Sequence, residues 1–263
     1  MGALEERRLA DGRLAVLRPA GPGDVPAVTR LYLGLSAQSF SHRFHAGRPS
    51  PDRVARLAAL GPGTFCLVAA PRADPGELAA EARYVPAGDG TAELAIAVRD
   101  SYQGAGLGRL MLDGLIRQAR QDGLARLRAV VLLGNLPMLR LLERYGWVVA
   151  APVEDFAVAS LDIATDGGMP GWPPGHEGRR VLVERRGWFD DARTAALRAA
   201  GQDVRHCTGP LLSAGRPCPL LSSGTCRLAE EADEILSLLP ADDPDCAAVA
   251  AEHRRRWVGK LGR

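Results

Sequence analysis

The stretch DSYQGAGLGRL, residues 100–110, decides the fold, because it places three glycines where a predicted strand passes into a predicted helix. These glycines are Gly104, Gly106 and Gly108. Each glycine costs roughly 0.5–1 kcal/mol relative to alanine inside regular structure. This turn therefore requires residues without side chains, either for the backbone conformation or for the close approach of another group.

The runs on either side of this stretch have the periods of a strand and of a helix. TAELAIAVRD, before it, alternates like a half-buried strand, and the residues after it repeat at helical spacing. Gly114 lies on the apolar face of this helix. Because a mid-helix glycine costs about 1 kcal/mol relative to alanine, we expect a close approach to the sheet there. The other apolar positions of the helix are Leu107, Leu110, Met111, Leu115 and Ala119.

The whole chain predicts two α/β domains. Up to about residue 163 the elements follow the order βααβββαβαββ, and GDG at 88–90 predicts a hairpin turn. Residues 165–178, dense in Gly and Pro, predict a linker. Strands and helices alternate from 179 to 263, which favours a small parallel α/β domain. The predicted domains are therefore 1–164 and 179–263, joined by 165–178.

Composition excludes several classes of function. The chain has 263 residues, 46% hydrophobic residues and a net charge of +2, so it carries no strong charge for nucleic acid or a membrane surface. It has no apolar run near the ~20 residues of a membrane span, and its N-terminus lacks the apolar core of a signal peptide. We expect a cytoplasmic protein with reduced thiols, and the sequence predicts no oligomeric state.

A glycine turn between a strand and a helix is a typical phosphate site, because N–H groups and the helix dipole attract an anion there. A P-loop needs a Lys-Ser/Thr pair after its last glycine, which GLGRLM lacks. The dinucleotide fingerprint needs G-x-G-x-x-G after a first strand, whereas this loop follows the fourth. The pattern Q/R-x-x-G-x-G/A is met by Gln103, Gly106 and Gly108. This pattern resembles the acyl-CoA pyrophosphate loop of the GNAT acetyltransferases.

The resemblance extends over residues 13–163, whose order of elements is similar to the GNAT fold. VLLGNLPMLRLLERYGW, which contains Asn135, Gly146 and Trp147, also resembles the second CoA segment of that family. The resemblance implies acetyl-CoA as co-substrate, with the pantetheine arm bound by the main chain of the fourth strand. The residues that it assigns to the co-substrate are Ile96, Val98, Gln103, Gly104, Ala105, Gly106, Gly108 and Asn135.

A further likeness concerns the acceptor. After the first helix, a Leu-Ser…Ser…Arg-Phe pattern is similar to the GNAT domain of bacterial protein-lysine acetyltransferases. Leu35, Ser36, Ser39, Arg43 and Phe44 form it here. The resemblance implies that a protein lysine accepts the acetyl group.

Acetyl transfer to an amine needs a base, since a lysine ammonium has a pKa near ~10.4. Glu93 is the acid in AELAIAV, on one strand face with Ala95 and Ala97, and an apolar setting there favours a raised pKa. The resemblance assigns the catalytic base to the same residue. A backbone N–H near Ala97 or Val98 is the simplest donor to the oxyanion.

The sequence has no tyrosine at the position from which many members of the family protonate the departing thiolate. Many members of the family use a Tyr seven residues after the Asn, where this chain has Leu142, and Tyr145 is out of phase. His42 and His45 are predicted in a loop that borders the acceptor site in the family. There they contact substrate, assist protonation or are solvated.

Two other functions fit the same residues. One is acetylation of a small amine. The other is a non-catalytic acyl-CoA sensor that signals through the C-terminal domain. A Glu93→Gln variant separates the enzymes from the sensor.

The alternation of strands and helices in the predicted C-terminal domain resembles a degenerate receiver-like or flavodoxin-like domain. This domain also contains several residues of the types that bind metals through sulfur or nitrogen. His206, Cys207, Cys218, Cys226 and Cys246 fit a zinc site, a redox disulfide or thiols without partners. The gaps between them lack a C-x₂₋₄-C pair, so we predict no metal ligand. Cys66 is expected in the core.

Overall fold

A computed structural model describes residues 4–47, 49–145, 148–153, 158–172, 177–186, 192–209 and 218–261. The chain divides into two compact units, Met1–Ala129 and Val130–Arg263. This division falls inside a strand, upstream of the predicted linker at 165–178. The domain limits 1–164 and 179–263 stay a prediction.

The first unit is a sheet with helices on both faces. Its strands lie in the order β1-β2-β3-β4-β5-β6, antiparallel throughout except that β6 runs parallel to β5. The strands are β1 (Glu5–Arg8), β2 (Leu14–Pro19), β3 (Phe65–Pro71), β4 (Ala80–Gly88), β5 (Thr91–Val98) and β6 (Arg126–Leu132), and the helices are α1 (Val25–Leu33), α2 (Ala37–Phe44), α3 (Pro51–Ala58) and α4 (Leu107–Gln121).

The predicted α/β fold is confirmed, with two elements added. β1 precedes the first predicted strand, and α2 lies between the two predicted helices. β1 has the sequence EERR and lies at the edge of the sheet, so it has no apolar alternation to reveal it. α2 has eight residues, of which Phe40 is buried, too few for a helical period to stand out.

The two faces of the sheet bury different helices. Phe40, Val54 and Leu31 of α1–α3 form one core cluster with Cys66 and Ala97 of the sheet. α4 packs on β3, β4 and β5. Because side chains alternate along a strand, residues on the Ala97 face lie under α1–α3.

Gly114 is the point at which α4 comes closest to the sheet. A Cβ atom there would lie 2.6 Å from Cδ2 of Leu67, which is 8% exposed. The close approach predicted from the sequence is therefore confirmed. Bare backbone at this position lets the helix lie on Leu67 without displacing it.

We expect Gly114→Val to lower the free energy of unfolding by about 1–3 kcal/mol, because the added carbons overpack the site. Urea denaturation measures the change. In a double-mutant cycle, Leu67→Ala removes the contacting atoms, so the pair should cost less than the sum of the single variants. Strict additivity would show that this contact is not the cause.

A buried carboxylate, Glu81 of β4, holds the helices of the other face. Its side chain is 0% exposed. The Tyr32 hydroxyl of α1 donates to Glu81 Oε2 at 2.8 Å, and the Cys66 thiol of β3 donates to Oε1 at 3.3 Å. Arg83 pairs with the same carboxylate, and Arg43 of α2 lies 3.9 Å from it.

Arg83 extends this contact to α3. Its guanidinium donates to the carbonyl oxygens of Leu57, Ala58 and Ala59 at the end of that helix. Burial and the Glu81 charge raise the pKa of the Tyr32 phenol, so the hydroxyl stays protonated and donates. Three helices are thereby tied to one carboxylate.

Replacing Glu81 with Gln should lower the free energy of unfolding by about 3–5 kcal/mol, because it leaves the Arg83 charge buried without its partner. Glu77→Gln is the matched control. Glu77 pairs with Arg30 and Arg99 at the surface, and such pairs contribute about 0–1 kcal/mol. Equal effects of the two variants in urea denaturation would contradict the role given to Glu81.

The second unit contains a parallel three-stranded core. β10 and β11 flank β9, both parallel to it, and β7 pairs antiparallel with β8 and with β10. This confirms the parallel α/β pattern predicted for the C-terminal part. The elements are α5 (Leu136–Glu143), β7 (Val148–Val153), β8 (Val158–Ala164), β9 (Arg180–Glu184), α6 (Ala192–Ala199), β10 (Asp203–Cys207), α7 (Pro219–Ser222), α8 (Arg227–Glu231), β11 (Glu234–Ser237) and α9 (Pro244–Arg256).

Part of the predicted linker is packed rather than extended. Met169 and Trp172 belong to the core cluster of the second unit, and Trp172 Nε1 donates to the carbonyl oxygen of Leu228 at 2.9 Å. The apolar side chains among the glycines and prolines account for the difference. Across the described ranges, every helix is too short or too polar to cross a bilayer.

Candidate active site

The edge of β5 that faces β6 loses its partner halfway along the strand. The register of the two strands covers Thr91–Glu93 and Arg126–Arg128. Beyond Glu93, β5 has its ladder partners on the β4 side alone, among the described residues. Unpaired backbone groups at such an edge bind extended chains.

Two hydrogen bonds establish which groups face this open edge. Arg99 N donates to Ala79 O, next to β4, and Ala125 N donates to Gly90 O, next to β6. Because successive residues of a strand point their backbone groups to opposite sides, Ile96 and Val98 face the open edge. This is the orientation that their predicted main-chain role requires.

The same alternation distinguishes the two backbone donors that the sequence offered for the oxyanion. Ala97 lies opposite Glu81 in the β4–β5 register, and its N–H faces β4. Val98 N–H faces the open edge. Of the two N–H groups proposed from the sequence, Val98 is therefore the one available to a ligand.

The glycine loop follows β5 through a 3-10 turn at Asp100–Tyr102. Gly104 has φ +76° and Gly106 has φ +86°, and neither would bring a Cβ within 4 Å of another residue. Glycine is therefore needed at these two positions because the backbone is left-handed there, a conformation that is unfavourable for residues with a Cβ atom. Gly108 is the second residue of α4.

The N-terminus of α4 carries no side-chain cap. Its N-cap residue is Gly106, which has no side chain that could accept a hydrogen bond from the first turn. The first N–H groups of a helix lack partners within the helix, and the dipole favours negative charge there. The loop thus presents N–H donors to an anion.

The turn between β1 and β2 supports the loop from one side. Ala10 N donates to Ala105 O at 3.0 Å, and Ala105 is buried. The Arg13 guanidinium donates to Ser101 O at 2.8 Å and lies 3.7 Å from the centre of the Tyr102 ring. Ala105 therefore has a structural contact in addition to its predicted place at the co-substrate.

The N-terminus of α2 supports the loop from the other side. Asp100 accepts hydrogen bonds from Ser36 N, Ser36 Oγ and Ser39 Oγ at 3.0, 2.7 and 2.7 Å. Gln103 Nε2 donates to Ser39 Oγ at 3.0 Å and to Val98 O at 3.1 Å. Burial raises the pKa of Asp100, but the hydrogen bonds from Ser36 and Ser39 outweigh it and hold the pKa below its usual range.

These contacts explain the Leu-Ser…Ser…Arg-Phe pattern, which has a structural basis in α2. Leu35 is buried, and Ser36 is the N-cap. Arg43 lies over the Phe44 ring at 4.6 Å and near Glu81. Sequence reasoning missed the part played by Asp100. The signal was an acid directly before the glycine loop, together with two serines three residues apart.

Glu93 lies on the sheet face that carries α1–α3. It shares this face with Ala95 and Ala97, as the alternation predicted, and its lateral neighbours in the ladders are Val85 and Arg128. The side chain is exposed, whereas the sequence favoured an apolar setting. The neighbouring side chains of Val85, Ala95 and Ala97 are short and leave this carboxylate open to solvent.

The sequence predicted His42 and His45 in a loop, but the structure places both at the C-terminal end of α2. His42 lies inside the helix, and His45 is its C-cap with φ +52°. The helix forms because Ser36 caps it and Phe40 anchors it in the core.

Asn135, the last residue predicted at the co-substrate, lies in the second unit. Asn135 is the N-cap of α5, where its side chain accepts a hydrogen bond from Met138 N at 3.3 Å. Leu142 is buried, so the position of the family's Tyr is part of the core. Gly146 and Trp147 lie outside the described residues.

All five cysteines are thiols in the structure. Cys66 is buried, as predicted, and burial raises the pKa of its thiol. Cys207 and Cys226 share a core cluster, and burial raises the pKa of Cys226 to about 12. Within the described ranges, no group of three His, Cys, Asp or Glu side chains is arranged to hold a metal ion.

The sequence that forms the loop and the open strand edge matches a known protein family. Residues 35–147 match the acetyltransferase (GNAT) family. The chain contains a GNAT acetyltransferase domain. This confirms the resemblance inferred from the glycine loop, and it supports acetyl-CoA as the co-substrate.

Individual relatives agree with this assignment. The chain is 31% identical to acetyltransferase Pat of Mycolicibacterium smegmatis over 155 residues, which are 58% of this chain and 46% of that protein. It therefore spans about half the length of this curated relative. It is 28% identical to the GNAT domain of S. lividans PAT, with a TM-score of 0.54 over 61% of this chain and 96% of that one.

We expect Gly106→Ala to weaken acetyl-CoA binding by about tenfold, because a Cβ at positive φ costs roughly 1–2 kcal/mol and shifts the loop. Isothermal calorimetry measures the change. Gly23→Ala is the matched control, since Gly23 is equally open and has no positive φ. An unchanged affinity in Gly106→Ala would contradict the role of this glycine.

Proposed function

We propose that the protein is an acetyl-CoA-dependent N-acetyltransferase whose acceptor is a protein lysine. The observation that carries the proposal is the uncapped N-terminus of α4, which follows the left-handed glycines beside the open edge of β5. Membership of the GNAT family supports the reaction class. The α2 pattern of Leu35, Ser36, Ser39, Arg43 and Phe44 supports the lysine acceptor.

The co-substrate occupies the loop and the strand edge together. The pyrophosphate binds the N–H groups at the start of α4, which Gly104, Gly106 and Gly108 leave uncovered. The pantetheine arm extends along the open edge of β5 and pairs with the main chain of Ile96 and Val98. Gln103 borders the pyrophosphate. Asn135 is also proposed to bind the co-substrate, on the basis of the family's second CoA segment.

Glu93 is the general base. It takes a proton from the lysine ammonium, directly or through water, so that the neutral amine attacks the thioester carbonyl. The Val98 N–H donates to the oxyanion of the tetrahedral intermediate. The nitrogen of this intermediate loses its second proton to solvent and the C–S bond breaks. The amide remains on the acceptor, and CoA leaves as a thiolate that takes its proton from solvent.

Glu93→Gln should lower turnover by about 10²–10⁴-fold, the usual contribution of a general base. Acetyl-CoA affinity should not change, because Glu93 does not contact the loop. Glu6→Gln is the matched control, since Glu6 is a surface carboxylate on β1 that pairs with Arg72. Turnover is measured as CoA released from acetyl-CoA.

The acceptor decides between this proposal and its alternatives. Purified protein is given acetyl-CoA with unacetylated whole-cell protein or with a panel of small amines. CoA release that requires protein and falls in Glu93→Gln supports the lysine acceptor. Release with small amines alone identifies a small-amine acetyltransferase, and binding without release identifies an acyl-CoA sensor.

A further inference from the structure

One chain of hydrogen bonds joins the glycine loop to α2. Gln103 Nε2 donates to Ser39 Oγ, and Ser39 Oγ donates to Asp100 Oδ1. Asp100 Oδ2 in turn accepts from Ser36 N, the N-cap of the helix. Since Gln103 also donates to Val98 O, one amide touches both the end of β5 and the helix.

The direction of each bond is determined by its neighbours. The Ser36 hydroxyl accepts from Ser39 N and donates to Asp100, and the Ser39 hydroxyl accepts from Gln103 and donates to Asp100. Each hydroxyl proton is thus committed to the same carboxylate. A shift of Gln103 therefore alters the hydrogen bond at Ser39 and, through Asp100, the one at Ser36.

The two ends of α2 are held in different ways. At the C-terminal end, Phe40 and Phe44 pack 4.5 Å apart, and Arg43 approaches the buried Glu81. At the N-terminal end, the bonds to Asp100 lie at the surface, where water competes with them. The N-terminal end is therefore the part of the helix that a ligand on the loop is able to order.

α2 lies on the sheet face of Glu93. Its Phe40 belongs to the same cluster as Ala97, and the helix contacts β5. If Glu93 is the base, the acceptor amine reaches the thioester on this face. The position of α2 then helps to shape the surface that the acceptor meets.

We propose that Ser39 and Asp100 are positioning residues that couple occupancy of the glycine loop to the acceptor face through α2. The proposal rests on the proposed function, in that CoA is the ligand of the loop. Bound CoA fixes Gln103, and the bonds through Ser39 and Asp100 then order the N-terminal turn of α2. By linkage, the acceptor and the co-substrate each strengthen the binding of the other.

Hydrogen exchange with CoA as the ligand tests the coupling without any acceptor. Calorimetry first establishes that CoA binds. In the wild-type protein we expect CoA to slow amide exchange over residues 36–45 by roughly threefold or more, as ordering of a surface turn does. Ser39→Ala removes the link between Gln103 and Asp100 and should abolish this slowing, with CoA affinity within about threefold of wild type.

Two further variants distinguish coupling from simple helix stability. Ser39→Thr keeps the hydroxyl and should restore the CoA-dependent slowing. Ser41→Ala makes the same substitution in the same helix, away from the contacts to Asp100 and Gln103, and should behave as wild type.

The outcomes separate the two proposals. If CoA binds and the exchange of α2 is unchanged, or is slowed equally in Ser39→Ala, the coupling is wrong while the proposed function stands. If Ser39→Ala prevents CoA binding, Ser39 acts in binding and the coupling is also wrong. If CoA does not bind the wild-type protein, the proposed function fails and the coupling fails with it.

Discussion

The packing of the first unit depends on one buried carboxylate. Glu81 accepts hydrogen bonds from Tyr32 of α1 and Cys66 of β3. It also pairs with Arg83, which donates to the carbonyl oxygens at the end of α3. Burying such a group is costly unless it is paired and hydrogen-bonded, so any arrangement that separates these partners is disfavoured. The carboxylate thereby specifies where three helices lie on the sheet, and this is the face that carries Glu93.

The candidate site is an interruption of regular structure at two adjacent points. β5 loses its ladder with β6 beyond Glu93, and α4 begins without a side-chain cap. Each interruption leaves backbone N–H groups for which a ligand is the natural partner. The loop between them stays ordered because the β1–β2 turn and α2 support it through Ala105 and Asp100.

Elements with a strong apolar period were predictable. The face of α4 and the close approach at Gly114 follow from spacing alone, and the hairpin at Gly88 and Gly90 has the positive φ angles that its glycines indicate. β1 and α2 were missed because their stabilising contacts are polar or few. β1 is a charged edge strand, and α2 depends on Ser36, Phe40 and Asp100 rather than on a stripe of apolar residues.

The sequence by itself determined the glycine loop and the strand that carries Glu93, because these depend on local spacing and on backbone conformation. Its resemblance to the GNAT family indicated the reaction class. The tertiary structure decided which N–H groups of β5 face a ligand, since strand alternation is measured against a partner strand. It also decided that Glu81 is the buried anchor and that Asp100 holds α2, because charges distant in sequence pair only once the chain has folded.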